Sequence, residues 1–349
     1  MFYTLQSFRG LAAVAVAAFH LSIGLGDQRF FGFKVFEEFT WRMNLGVDFF
    51  FVLSGFIIMA AHKKDIGHPS RLVQFLQKRF FRIYPIYWLC TGIFCALIAL
   101  GLGSTATNPD TAVKWISVVS LVRLDNFLLP ISPAWTLIHE VAFYAVFSIL
   151  IINRNVGIIA FTFWLVPCLL LFNYPTPYAR TPFITYFSAY NLDFTIGMGA
   201  YLMLQKRILR NPLIGMGTGF CALYATLFAE NSGGLAVYQL FYALSFGILI
   251  YGAVSWETKL WQTNSGGLNI PLMPLLGDAS YSIYLTHIAF EGLFTKIMFK
   301  TIPGISTFPA AAFIAILLLT LIAGCIVHIA AEKPLLKFGR SIMFYTKAP

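Results

Sequence analysis

Residues 308–331 read FPAAAFIAILLLTLIAGCIVHIAA, an apolar run without a single Lys, Arg, Asp or Glu. As a helix it rises roughly 36 Å at 1.5 Å per residue, enough to cross a bilayer's hydrocarbon core. Working outward, the rest of the chain has the same character. Of its 349 residues 58% are hydrophobic and only 11% charged, and the mean hydropathy is +0.76. Soluble domains carry about 25% charged residues, so this chain could not cover itself with a solvated surface. It is written for lipid.

Ten segments have the length and apolarity of a membrane span: about 8–26, 44–61, 82–102, 134–152, 155–172, 184–204, 212–230, 236–254, 278–299 and 308–331. The 103–133 connection is the longest, and its apolar parts, Trp115–Leu121 and Phe127–Leu129, are expected on the membrane surface. No linker, low-complexity tract or repeat divides the chain. The expectation is one all-α transmembrane bundle over 1–349. Met1–Gly26 superficially resembles a signal peptide, but its apolar region is long, no A-x-A site follows it and more spans come after it, so it reads as a retained first helix.

Orientation follows from the basic residues. With the N-terminus in the cytoplasm, fifteen Lys and Arg fall inside and eight outside, and Arg9 at the first boundary completes the 24. This bias assigns both termini to the cytoplasm. The net charge of +10 lies in short clusters between apolar runs, which points to anionic lipid rather than nucleic acid. The five cysteines all sit in apolar stretches without CxxC or Cys/His ligand spacing, so neither a disulfide framework nor a zinc site is expected. His139-Glu140 begins like a zinc-protease motif, but Phe143 stands where the second ligand belongs. Nucleophile-elbow, Walker A and dinucleotide fingerprints are absent.

Ionisable groups inside spans are costly and mark function by default. In this topology His20, Asp48 and Glu140 come from three segments to comparable depth in the outer half. A carboxylate accepting a ring N–H would fix the imidazole tautomer for a general base. For Asp48 a packing role in a buried polar network stands beside the catalytic one. Arg9 precedes His20 by eleven positions, which puts both on nearly one helix face with a rise of roughly 16 Å. That rise is close to the reach of an extended pantetheine arm, so Arg9 at the cytoplasmic mouth could bind a coenzyme A phosphate while a thioester reaches His20. Arg79 and Arg82, three apart in Lys78–Pro85, share a face suited to phosphate. Tyr84 beside them could stack on an adenine, although interfacial packing explains such aromatics equally well. Ser280, Tyr284 and His287 fall on one stripe, with Tyr281 adjacent, and are candidate tunnel-lining residues. Asp193, Glu291 and His328 are also intramembrane, but no spacing gives them a role.

Together these stretches resemble the acyltransferase-3 family of integral-membrane acyltransferases. The resemblance is carried by Leu5–Leu11 running to Phe19-His20, by Gly46-Val47-Asp48-Phe49-Phe50-Phe51-Val52-Leu53-Ser54-Gly55-Phe56, and by Arg79–Pro85. Trp135-Thr136 through Glu140, Ser280–Leu285 with His287, and Glu332-Lys333-Pro334 complete it. These pieces keep the family's order from one end to the other, and the chain is most similar to the short members that acetylate exopolysaccharide. The resemblance implies a ten-helix unit taking acetyl or another short acyl group from cytoplasmic acyl-CoA to a carbohydrate acceptor. It implies His20 as the catalytic histidine, and Arg9, Arg79 and Arg82 at the donor. Acetyl-CoA would be a co-substrate, with no permanently bound cofactor or metal. One departure is that His139 precedes a single Glu140 where many relatives carry two adjacent acids. Two rivals remain at this point, a flippase for lipid-linked sugars and an acyltransferase acting on a small hydrophobic acceptor.

Overall fold

The computed structural model describes residues 3–101, 107–171, 182–208, 211–231, 237–262 and 272–345, which leaves Arg180, Arg210 and Lys347 of the charge count outside the described residues. Among the described residues every regular element is a helix. In chain order these are α1 (Tyr3–Leu25), α2 (Glu37–Thr40), α3 (Gly46–His62), α4 (Leu72–Ala99), α5 (Ala112–Ser120), α6 (Trp135–Ile152) and α7 (Arg154–Leu170). They continue with α8 (Pro182–Tyr186), α9 (Tyr190–Gln205), α10 (Pro212–Asn231), α11 (Val237–Gln262), α12 (Leu272–Thr301), α13 (Pro309–Val327) and α14 (Lys333–Tyr345).

Each of the ten apolar segments coincides with a helix, but they are not equally equipped to cross a membrane. Seven stretches qualify by length and composition, from Tyr3–Leu25 to Pro309–Ile342. The segments expected at 155–172, 184–204 and 278–299 do not. Their helices α7 and α9 have 17 and 16 residues, and α12 carries Asp278, Glu291, Lys296 and Lys300 along its length. The protein is thus a polytopic membrane protein, all-helical among the described residues.

α1 lies at the centre, against α12, α3, α11 and α13. Small residues let the backbones close up. A Cβ on Gly277 of α12 would come within 2.2 Å of the Gln6 carbonyl oxygen of α1. Likewise a Cβ on Gly55 of α3 would meet Phe194 O at 1.9 Å, and one on Gly197 of α9 would meet Val52 O at 1.8 Å. No side chain fits at those crossings, which is the small-residue mode of packing in membranes. Glu257 of α11 caps the start of α1, accepting from the backbone N–H of Tyr3 at 2.7 Å and of Thr4 at 3.0 Å. It satisfies two of the orphan donors at that terminus. A core of aromatic rings, including stacked Phe143 and Phe194 with centroids 4.5 Å apart, joins α6 to α9.

In the connection between α4 and α6, Val113, Trp115, Ile116 and Val119 of α5 are exposed. Three α4 side chains pin the end of α5 to the flank of the bundle. Tyr84 and Tyr87 donate their hydroxyls to the carbonyls of Ser120 at 2.7 Å and Val118 at 2.8 Å, and Trp88 Nε1 donates to Val119 O at 2.8 Å. Leu121 and Ile131 beyond it are fully buried. The aromatic donors satisfy carbonyls that the helix end leaves open.

Candidate functional site

Helices α1, α3, α4, α6 and α12 enclose a cavity of about 140 Å³ lined by Arg9, Arg79, Arg82, Ser54, Thr136, Glu140, Tyr144, Ser280, Tyr281 and Tyr284, with apolar residues of α3 between them. The guanidinium of Arg9 therefore meets those of Arg79 and Arg82, some seventy positions on, and the carboxylate of Glu140 in one chamber. Arg9 lies within the electrostatic reach of Arg82, Glu332, Glu140 and Asp278.

Each arginine is held from behind. Arg9 Nη1 donates to Gln6 Oε1 at 3.3 Å, and Gln6 Nε2 donates to Asp278 Oδ1 at 2.6 Å. Arg79 Nη2 donates to His62 Nε2 at 3.1 Å, while His62 Nδ1 donates to Asp65 Oδ2 at 2.7 Å. That guanidinium also lies over the rings of Phe75 at 5.8 Å and Tyr144 at 5.7 Å. Arg82 Nη1 pairs with Glu332 Oε1 at 2.8 Å and sits 5.3 Å from the Tyr281 ring centre. The second Glu332 oxygen accepts from Ser282 Oγ at 2.7 Å and His328 Nδ1 at 2.8 Å. Both His328 and Glu332 belong to a π-helical turn, His328–Glu332, that follows α13. Such turns are rare and recur at functional sites. Two of these arginines rest on neutral acceptors, Gln6 and His62; Arg82 rests on a buried acid.

Glu140 accepts from Ser54 Oγ at 3.3 Å and from the Tyr144 hydroxyl. Ser280 Oγ donates to Gly277 O at 2.8 Å, and the Tyr281 hydroxyl donates to Ile83 O at 3.1 Å. Tyr84 is not on the cavity wall; its ring lies between Phe80 and Trp88, and its hydroxyl serves Ser120.

His20 lies off the cavity wall, beyond Tyr284. Its Nδ1 is 3.0 Å from Val16 O and 3.3 Å from Nε2 of His287. The two imidazole centroids are 5.0 Å apart, and His287 is in turn 5.8 Å from the Tyr284 ring that lines the cavity. The carboxylates expected at His20 are elsewhere. Glu140 faces the cavity, and buried Asp48 interacts electrostatically with Asp193 of α9. His139 is buried behind Glu140, with Nδ1 3.0 Å from Asn191 Oδ1. Among the described residues, no three His, Cys, Asp or Glu side chains are placed to hold a metal ion.

Sequence reasoning did not foresee the groups behind the arginines. Their local signals were the short spacings Gln6/Arg9, His62/Asp65 and His328/Glu332, each of which joins two side chains on one helical face. The long-range partners, Asp278 for Gln6 and Glu332 for Arg82, had no such signal.

The chain matches the family described as "Acyltransferase domain" over residues 2–329. It is 31% identical over 317 residues to the exopolysaccharide production protein ExoZ of Rhizobium meliloti (strain 1021), covering 85% of this chain and 90% of that protein. It is 26% identical over 314 residues to the putative membrane-bound transacylase BcsY of Komagataeibacter xylinus, covering 81% and 71% respectively. Acyltransferase MdmB of Streptomyces mycarofaciens is 30% identical over 159 residues, covering 42% of this chain and 38% of that protein. No solved structure matches.

Proposed function

This chain belongs to the acyltransferase-3 family of membrane acyltransferases, and from that premise we propose that it is an O-acetyltransferase moving acetyl from cytoplasmic acetyl-CoA to a hydroxyl of an exported or cell-surface polysaccharide. The observation that carries the donor half is the meeting of Arg9, Arg79 and Arg82 in one cavity. Guanidiniums suit phosphate geometry, and the charge density of the cavity asks for an anion. The acceptor half draws support from the similarity to ExoZ, named for exopolysaccharide production.

In this reading ten helices cross the bacterial inner membrane with both termini in the cytoplasm. The charge bias and the helical structure found at every apolar segment support that arrangement. The donor's phosphates rest on Arg9, Arg79 and Arg82, and the pantetheine arm runs past Tyr284 towards His20. Along α1 the rise from Arg9 to His20 is roughly 16 Å. His20 takes the proton of the acceptor hydroxyl as its oxygen attacks the thioester carbon. The carbon–sulfur bond then breaks, and the proton passes from His20 to the departing thiolate, so ester and free coenzyme A are the products. Glu140 orders Tyr144 and Ser54 on the cavity wall, and Asp48 supports the fold of α3 beside them.

The test uses the full chain in lipid nanodiscs with radiolabelled acetyl-CoA and polysaccharide from cells lacking the gene. Label entering the polysaccharide as base-labile ester is the expected result. Movement of a lipid-linked sugar without label, or label entering only a small lipid-soluble product, would contradict the proposal.

A further inference from the structure

A histidine that works as a base needs one bare nitrogen, and something must decide which one. Around His20 two backbone carbonyls decide it. A carbonyl only accepts, so each ring nitrogen facing one carries the proton. Tyr284 O lies 2.7 Å from His287 Nδ1, which makes that nitrogen the donor and leaves His287 Nε2 as a lone pair. Val16 O lies 3.0 Å from His20 Nδ1, so the proton of His20 is on Nδ1 as well. The same Nδ1–H faces the His287 lone pair at 3.3 Å. The arrangement runs in one direction, from His20 through His287 to the Tyr284 carbonyl. It leaves the lone pair of His20 Nε2 uncommitted among the described contacts.

We infer that His287 is the positioning residue of His20, a neutral imidazole in the place where a carboxylate would ordinarily orient a catalytic histidine. This rests on the reading of His20 as the base. Val16 O fixes the tautomer but divides its two lone pairs between the ring and the backbone N–H of His20 within α1. The lone pair of His287 has no such prior duty. Its effect also grows during the reaction. Before proton transfer the contact joins two neutral rings. Once His20 Nε2 has taken the hydroxyl proton, the Nδ1–H of an imidazolium faces His287, and a charge-assisted hydrogen bond is roughly twice as strong as a neutral one. An interaction that strengthens only as charge develops lowers the barrier without tightening substrate. His287 keeps its own proton throughout, so the balance of hydroxyl, thioester, ester and thiol is unchanged.

The fixed tautomer distinguishes this role from simple packing. Nitrogen-15 spectra of the full chain in nanodiscs, with labelled histidine and His20→Gln to assign the signal, should show His20 protonated on Nδ1. In kinetics, His287→Met fills similar space without a comparable acceptor and should lower kcat about a hundredfold, leaving the KM for acetyl-CoA within about twofold. His287→Gln offers an amide oxygen and should recover most of that loss. An Nε2-protonated His20 in the wild type would overturn the inference. So would a His287→Met variant with full kcat, or a loss confined to KM. Should the wild type transfer no acetyl at all, the functional reading fails, while a His20 Nδ1 signal that differs between the wild type and His287→Met still decides whether His287 accepts from it.

Discussion

The arginine cavity and the imidazole pair are joined through Tyr284 and His287, three positions apart on α12, yet they are built from opposite materials. In the cavity, three cations are fixed by side-chain relays that reach other helices, ending on Asp278, Asp65 and Glu332. At the pair, backbone carbonyls and a second neutral ring do the fixing. The difference separates two tasks. Holding an anion needs charge that survives burial, and each buried charge needs a partner. Moving a proton needs a base whose lone pair stays available, and a nearby anion is not required for that. The cavity is therefore expected to govern donor affinity, and the pair to govern turnover.

Substitutions on either side can break that division. The largest effect is expected from His20→Ala, which should lower kcat about 10³- to 10⁴-fold with membrane insertion and helix content unchanged; tenfold or smaller loss would remove His20 from the chemistry. Next comes Glu332→Ala, which leaves Arg82 without its acid and should destabilise the protein by about 3–5 kcal/mol, read by thermal unfolding in nanodiscs. An unaltered melting curve would show that the Arg82–Glu332 pair does not hold the π-helical turn in place. Arg79→Glu should raise the KM for acetyl-CoA about 10- to 100-fold with little change in kcat; a pure kcat defect would move Arg79 from the first region to the second. The smallest effect is expected at Tyr84→Phe. Its hydroxyl is committed to Ser120, so the donor KM should stay unchanged and stability should fall by about 1 kcal/mol.

How much of this was legible depends on the range of the interaction that decides it. Hydropathy accumulates along the chain, so α13 and α1 could be read residue by residue, with α13 ending only four positions before the apolar run does. The meeting of Arg9, Arg79 and Arg82 was legible in outline, because all three fall at the cytoplasmic ends of their helices, but the presence of Glu140 among them was not. Depth alone was a poorer guide. It grouped His20 with Asp48 and Glu140, whereas helix rotation turns Asp48 towards α9 and Glu140 into the cavity. The His20–His287 contact joins residues 267 positions apart, and no spacing encodes it. It follows from the close approach of α1 and α12 at Gly277, which the sequence shows only as one more glycine. Tyr84 misled for a related reason. An aromatic beside two arginines suits a nucleotide, but the same ring also suits the carbonyls at the end of α5, and packing decided between them.

The most direct test of the account is a structure of the full chain in nanodiscs with a non-hydrolysable acetyl-CoA analogue. The phosphates are expected against Arg9, Arg79 and Arg82 and the acyl carbon within about 3–4 Å of His20 Nε2, or one hydroxyl-bearing acceptor away from it. An analogue bound with its sulfur remote from both imidazoles would contradict it.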